Sequence, residues 1–205
     1  NPSQLRRLSH ISDRARFRRA VTGSDPARIL LVGFMGSGKS SVGSVLARQL
    51  GWRFADVDAH VERTQGMPVS QLFSRLGEAR FRELEHEATQ SLLRKHHVVV
   101  ASGGGWAARA GRLDELPVGT IAVWLVVSVE EAVRRVGVQP GKRPLLEGEN
   151  PLAAARELLA IRTPMYARAT HEVDTEGVSV EDVSILVART LGLNLAAADT
   201  QTDTE

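Results

Sequence analysis

The chain contains no cysteine in its 205 residues. That excludes a disulfide framework, a thiolate nucleophile and a cysteine-based zinc site. No apolar run approaches the ~20 residues that span a bilayer. Charge is nearly balanced, at +2, too small an excess to mark a nucleic-acid binder. Lysine is scarce: Lys39, Lys95 and Lys142 stand against 23 arginines. Positive charge is thus carried by forked guanidinium groups, which suit bidentate recognition of carboxylates and phosphates, although a GC-rich genome gives the same bias. What is present is ordinary for a soluble globular protein, with 42% hydrophobic and 24% charged residues. The length predicts one domain, with or without tails, and it suffices for a core that needs no disulfide or structural metal.

The charge is unevenly spread. Arg6, Arg7, Arg14, Arg16, Arg18 and Arg19 face only Asp13 before the Thr22-Gly23-Ser24-Asp25-Pro26 turn cluster. Arginine-rich, acid-poor leaders serve as organellar transit peptides; the favoured reading of residues 1–27 is a basic, flexible extension. Nucleic-acid binding through it would want interleaved aromatics, and Phe17 stands alone there. Residues 193–205 read as a flexible C-terminal tail.

Between these ends, strands and helices alternate. Ile29-Leu30-Leu31-Val32 is a continuous apolar run, as a strand buried on both faces requires. Val42, Val45, Leu46 and Leu50 recur at helical spacing before Gly51. Arg53–Val57 reads as a second strand, Val98–Ala101 as a third and Thr120–Val127 as a fourth. Helical faces are predicted at Val69–Leu76, closed by Gly77, then at Phe81–Leu92, Val129–Val136 and about 150–168. A short strand follows near His171–Val173, and a last helix is capped by Ser179. This succession predicts a parallel sheet covered on both sides.

Gly33-Phe34-Met35-Gly36-Ser37-Gly38-Lys39-Ser40 matches G-x-x-x-x-G-K-[ST] in full, between a buried strand and a helix. Glycines let successive N–H groups converge on one concavity, and the helix N-terminus adds partial positive charge. Gly36, Ser37, Gly38, Lys39, Ser40 and Ser41 are therefore the expected nucleotide-binding residues. Lys39 would reach the outer phosphates and Ser40 would ligate Mg²⁺. No Asn-Lys-x-Asp guanine-reading motif is present, and the third strand ends in Ala101-Ser102-Gly103-Gly104-Gly105 where a large ATPase would place Asp-Glu. A short chain with a triphosphate site and no motor machinery points to a small-molecule kinase.

The acceptor side is less explicit. Asp56-Val57-Asp58 falls at the carboxyl end of a strand, where ligands of open α/β sheets bind. If strand geometry holds through Asp58, both carboxylates project to one side; otherwise Asp58 merely caps the next helix. Three glycines at Gly103–Gly105 imply close approach to the backbone, by a ligand or by a tight turn. Arg82, with Glu85 three residues on, and Arg162 sit on predicted helices; taken singly, a solvated face is the simpler reading for each. Residues 137–149 have a lid's composition and carry Arg143.

Taken in order, these motifs resemble shikimate kinase over residues 28–192: the phosphate loop, Asp56-Val57-Asp58, Phe81-Arg82-Glu83-Leu84-Glu85, Gly103-Gly104-Gly105, Arg143-Pro144-Leu145-Leu146 and Arg162-Thr163-Pro164-Met165-Tyr166. The resemblance implies a three-layer α/β fold of the nucleoside-monophosphate-kinase kind, with a five-stranded parallel sheet in order 2-3-1-4-5. It implies ATP and Mg²⁺ as co-substrate and cofactor, and phosphorylation of shikimate on its 3-hydroxyl. Asp58, Lys39 and Arg143 would be catalytic. Asp58, Arg82, Gly103, Gly104, Gly105 and Arg162 would bind shikimate, with Glu85 supporting Arg82. Arg135 and Arg143 would contact the nucleotide, Ser40 the metal directly and Asp56 the metal through water. A cytoplasmic monomer working on small molecules, with neither nucleic acid nor membrane as partner, is the expectation. Trp106, directly after the glycines, and Lys142 in the lid depart from the family pattern. The alternatives are another kinase of this fold, acting on gluconate or a nucleotide, which would lack the Arg82, Gly103–Gly105 and Arg162 set, and a catalytically silent binding module, which would have lost Lys39, Asp58 or Arg143.

Overall fold

The computed structural model describes residues 26–137 and 150–195. The basic extension up to Asp25, Lys142 and Arg143 of the expected lid, and the tail from Ala196 lie outside these residues.

Five strands, β1 (Arg28–Val32), β2 (Arg53–Asp56), β3 (Val98–Ala101), β4 (Thr120–Val126) and β5 (His171–Asp174), form one sheet in the order β2-β3-β1-β4-β5. Every neighbouring pair is parallel. The connecting helices are α1 (Lys39–Leu50), α2 (Val57–Gln65), α3 (Val69–Leu93), α4 (Val129–Val136), α5 (Pro151–Tyr166) and α6 (Val180–Leu191). All five residues of β1 are buried, because the central strand is covered on both faces. Its side chains alternate between two cores, as the two-residue strand period demands. Ile29 and Leu31 join Val99, Val123 and Leu125 under Val42 and Leu46 of α1 and Val183 and Val187 of α6. Leu30 and Val32 join Val98 and Val100 against Val61 of α2, Leu84 and Leu92 of α3 and Tyr166 of α5. The fold class and strand order expected from the sequence are those observed.

Two local expectations change. The second strand ends one residue early, at Asp56, and strand geometry does not run through Asp58. Asp56 keeps an extended backbone and its Oδ1 accepts a hydrogen bond from the N–H of Ala59 at 3.1 Å. Asp56 is therefore the helix cap, and Asp58 stands in the first turn of α2. A capping carboxylate satisfies an otherwise unpaired N–H, and that gain ends the strand. Further on, the two helical runs around Gly77 are joined as α3, but Gly77 breaks the helical backbone with φ 76° and ψ 165°. The break re-aims the second half of α3, which carries Arg82 and Glu85. Elsewhere the punctuation holds: Gly51 ends α1 in the left-handed conformation, and the Ser179 hydroxyl accepts from Asp182 N–H; Gly192, not singled out in the sequence, ends α6 as Gly51 ends α1.

Candidate active site

The loop after β1 closes onto α1 with Gly38 at the helix boundary, at φ 87°, a conformation a side chain would strain. No side chain caps this helix start, a helix end whose N–H groups and dipole suit an anion. The Lys39 ammonium folds over the loop and donates to Gly33 O at 2.9 Å, Phe34 O at 2.7 Å and Ser37 Oγ at 3.3 Å. Lys39 and Ser37 are buried, whereas Ser40 and Ser41 are exposed at the helix start.

Ser40 Oγ donates to Asp56 Oδ2 at 2.5 Å, so one hydroxyl and one carboxylate meet at the phosphate loop. Among the described residues there is no group of three or more histidine, cysteine or acidic side chains fit to hold a metal ion. A hard hydroxyl–carboxylate pair next to a triphosphate site fits Mg²⁺, which takes few protein ligands and keeps water and phosphate oxygens.

The acceptor half is assembled around Gly103–Gly105, which follow β3. Arg82 is buried, and its NH1 donates to Glu85 Oε2 at 2.8 Å while its NH2 reaches Glu78 Oε1 at 3.2 Å. The rings of Phe73 and Phe81 lie 5.5 and 5.4 Å from the guanidinium carbon. Gly105 is what permits this arrangement: a Cβ there would stand 2.6 Å from the Arg82 guanidinium. At Gly103 a Cβ would overlap Glu85 Oε1 and come within 2.9 Å of Asp58 Oδ1. Gly103→Ala is therefore expected to lower the melting temperature, by the equivalent of about 1–3 kcal/mol for an overpacked interior. An unchanged thermal melt would show that the glycine turn is not sterically required.

Arg162, equally buried, donates from NH1 to Gly104 O at 3.1 Å, and Tyr166 Oη donates to the same carbonyl at 2.5 Å. Gly104 in turn lies against the phosphate loop, its Cβ direction 3.6 Å from Met35 N. The structure thus brings Asp58, Arg82, Glu85, Gly103–Gly105 and Arg162 together beside the Lys39 loop. The solvated-face reading is wrong for both arginines.

Asp58 has a pKa raised from the ordinary 3.8 to about 6, first by burial and then by the charges of Glu85 and Asp56; Lys39 and Arg82 pull the other way. Its Oδ1 is buried with no hydrogen-bond partner. Burial also pushes Glu85 upward, against the pull of Arg82, and Glu85 Oε1 likewise has no partner. A bare acceptor oxygen with a near-neutral pKa is equipped to take a proton from a hydroxyl.

Arg135 is tied down at the far side of the phosphate loop. It donates to Glu131 Oε1 at 2.7 Å, Gly36 O at 3.3 Å, Thr175 Oγ1 at 3.0 Å and Thr175 O at 2.6 Å. Trp106 is buried in the core and stacked on His86 with ring centroids 6.4 Å apart. Sequence reasoning assigned no role to Tyr166, the one tyrosine of the chain, or to Glu131 and Thr175. Buried tyrosines normally find a partner for the hydroxyl, so a lone tyrosine four residues after Arg162 was a usable signal. The Thr175 contact depends on how β5 is placed against α4, and no local pattern announces it.

The model of the shikimate kinase family matches residues 35–191. A shikimate kinase of Synechococcus is 41% identical over 175 residues, covering 85% of this chain and 89% of its own. That of Moorella thermoacetica is 45% identical over 152 residues, covering 74% and 87%. Among solved structures, the Acinetobacter baumannii shikimate kinase in complex with shikimate superposes with a TM-score of 0.75 at 34% identity, over 81% of this chain and 93% of that one. A Sinorhizobium meliloti gluconokinase reaches a TM-score of 0.57 at 21% identity, a likeness of fold alone. No described helix is long and apolar enough to cross a membrane.

Proposed function

Because the chain belongs to the shikimate kinase family, we propose that its catalytic unit is residues 28–192 and that the groups gathered around Asp58 carry the family's reaction. That reaction is ATP-dependent phosphorylation of shikimate, a step of aromatic amino-acid biosynthesis; the acceptor is the 3-hydroxyl and the products are shikimate 3-phosphate and ADP. The observation that carries the residue assignment is the convergence of a bare, near-neutral carboxylate with two buried arginines and the lysine of a phosphate loop.

Arg82 and Arg162 pin the shikimate carboxylate, since two guanidiniums offer charge-assisted, planar pairing with it. Glu85 holds Arg82 in place from the protein side. Gly103, Gly104 and Gly105 let the substrate ring approach the backbone. Asp58 Oδ1 accepts the proton of the 3-hydroxyl as that oxygen forms its bond to the γ-phosphorus and the bond to the bridging β–γ oxygen breaks. The loose transition state asks chiefly for positioning and charge neutralisation. Lys39 gives up its loop carbonyls for the outer phosphates, helped by the N–H groups of Gly36, Ser37, Gly38 and the start of α1, including Ser40 and Ser41. Ser40 and Asp56 are the residues that would hold Mg²⁺, Ser40 directly and Asp56 through water; the ion would supply further neutralisation of phosphate charge. Arg135 borders the nucleotide base. Arg143, outside the described residues, is assigned to the transferring phosphate by its Arg-Pro-Leu-Leu motif.

The test of the clamp is Arg82→Ala. It removes a carboxylate partner and leaves Glu85 buried without its cation, so shikimate binding should weaken by about 2–5 kcal/mol. The effect should fall on the KM for shikimate with that for ATP little changed. An equal rise in both values would remove Arg82 from the acceptor site.

A further inference from the structure

A cavity of about 250 Å³ lies between the last turns of α3 and the chain leading from Trp106 to Pro117. It shares no lining residue with the phosphate loop or the carboxylate clamp, yet His86 directly follows Glu85 and Trp106 directly follows Gly105. Its walls are of two kinds. Leu93, Leu116 and the Trp106 ring are apolar, while His86, Arg94 and Arg112 are donors.

Two buried ring N–H groups on these walls lack acceptors. Arg112 NH1 lies 2.6 Å from His86 Nε2. A guanidinium can only donate, so Nε2 accepts and the imidazole proton resides on Nδ1. That Nδ1 is buried without a partner, and so is the indole Nε1 of Trp106. Burial first and then the Arg112 charge lower the pKa of His86, against the opposite pull of Glu115 and Glu87. Unmatched buried donors cost free energy, and two arginines stand against a single lining acid, Glu115.

We propose that this cavity is a binding site for a small carboxylate with a flat apolar ring, separate from the acceptor site. The carboxylate would pair with Arg112 and Arg94, and the ring would lie against Trp106 and Leu116. A hydroxyl on the ring would donate to Glu115. The volume is just under the usual span of ligand clefts, about 300–1,000 Å³, which suits a molecule of one ring.

The probe is 4-hydroxybenzoate, titrated calorimetrically into the full chain held at saturating shikimate so that Arg82 and Arg162 are already engaged. Saturable binding of one equivalent is expected. Arg112→Gln should weaken it about tenfold, the equivalent of one charge-assisted hydrogen bond, with shikimate turnover unchanged. The uncharged 4-hydroxybenzyl alcohol should bind weakly to both forms. Arg94→Gln alters an exposed side chain and serves as the second variant should Arg112→Gln lose turnover; it too should weaken the probe. Absence of saturable heat with shikimate present, displacement of the probe by shikimate, or equal affinity in wild type and the folded arginine variants would overturn the proposal.

Discussion

Asp58→Asn is expected to lower kcat by at least about 10²-fold, the scale of a lost general base, while ATP binding is retained and the folded protein becomes more stable. The two effects share one cause. The folded-state pKa of about 6 lies above the ordinary 3.8, chiefly because burial disfavours the ionised carboxylate. At pH 7 the folded protein therefore carries a charge it would rather not hold, and Asp58 destabilises it. As pH falls through about 6, the folded state takes up a proton that the unfolded chain does not accept until near 3.8. This group's penalty is consequently relieved between those values, and it is fully present above them. The gap corresponds to roughly 3 kcal/mol, which a neutral, isosteric amide would recover as a rise of several degrees in Tm. The same ionisation sets activity in the opposite sense: kcat/KM should fall by about tenfold per pH unit below about pH 6. A variant with near-normal kcat, or with lowered Tm and an unaltered acid limb, would remove Asp58 from its role as base.

Lys39→Met should abolish turnover, with a loss of at least about 10³-fold expected for removing a principal charge from the transferring phosphate. Methionine keeps most of the aliphatic stem, so the loss is one of charge and donors rather than bulk. Gly33 O and Phe34 O also lose a buried donor, at a cost of about 1–3 kcal/mol for each acceptor left unsatisfied. The measurement is single-turnover phosphoryl transfer at saturating ATP, paired with a thermal melt to show that the variant is folded. Single-turnover rates within tenfold of wild type would mean that Lys39 merely braces the loop through Gly33 O and Phe34 O.

Where signals were local, the sequence was legible. The phosphate loop lies in eight consecutive residues between a buried strand and a helix, and the glycine end of α1 follows from backbone conformation alone. The sheet order is not local; it came from the resemblance, and the parallel pairings agree with it. Around Asp56–Asp58 the strand and helix signals overlap, and the cap bond to Ala59 decided between them. Arg82 and Arg162 illustrate a second limit. On a helical wheel each is one more charged residue, and only the tertiary approach of Gly105 and Gly104 shows what they face. Tyr166 and Thr175 fix neighbouring backbone and arginine positions through contacts 62 and 40 residues apart in sequence, a separation that no motif spans.

The chemistry of the acceptor is decisive: a small cyclic acid held by two arginines against Asp58. ADP release measured with shikimate, with gluconate, with nucleoside monophosphates and with no acceptor tests it in one experiment. Rapid release is expected with shikimate and little with the other three. Comparable turnover on gluconate or a nucleoside monophosphate, or ADP release that ignores shikimate altogether, would contradict it.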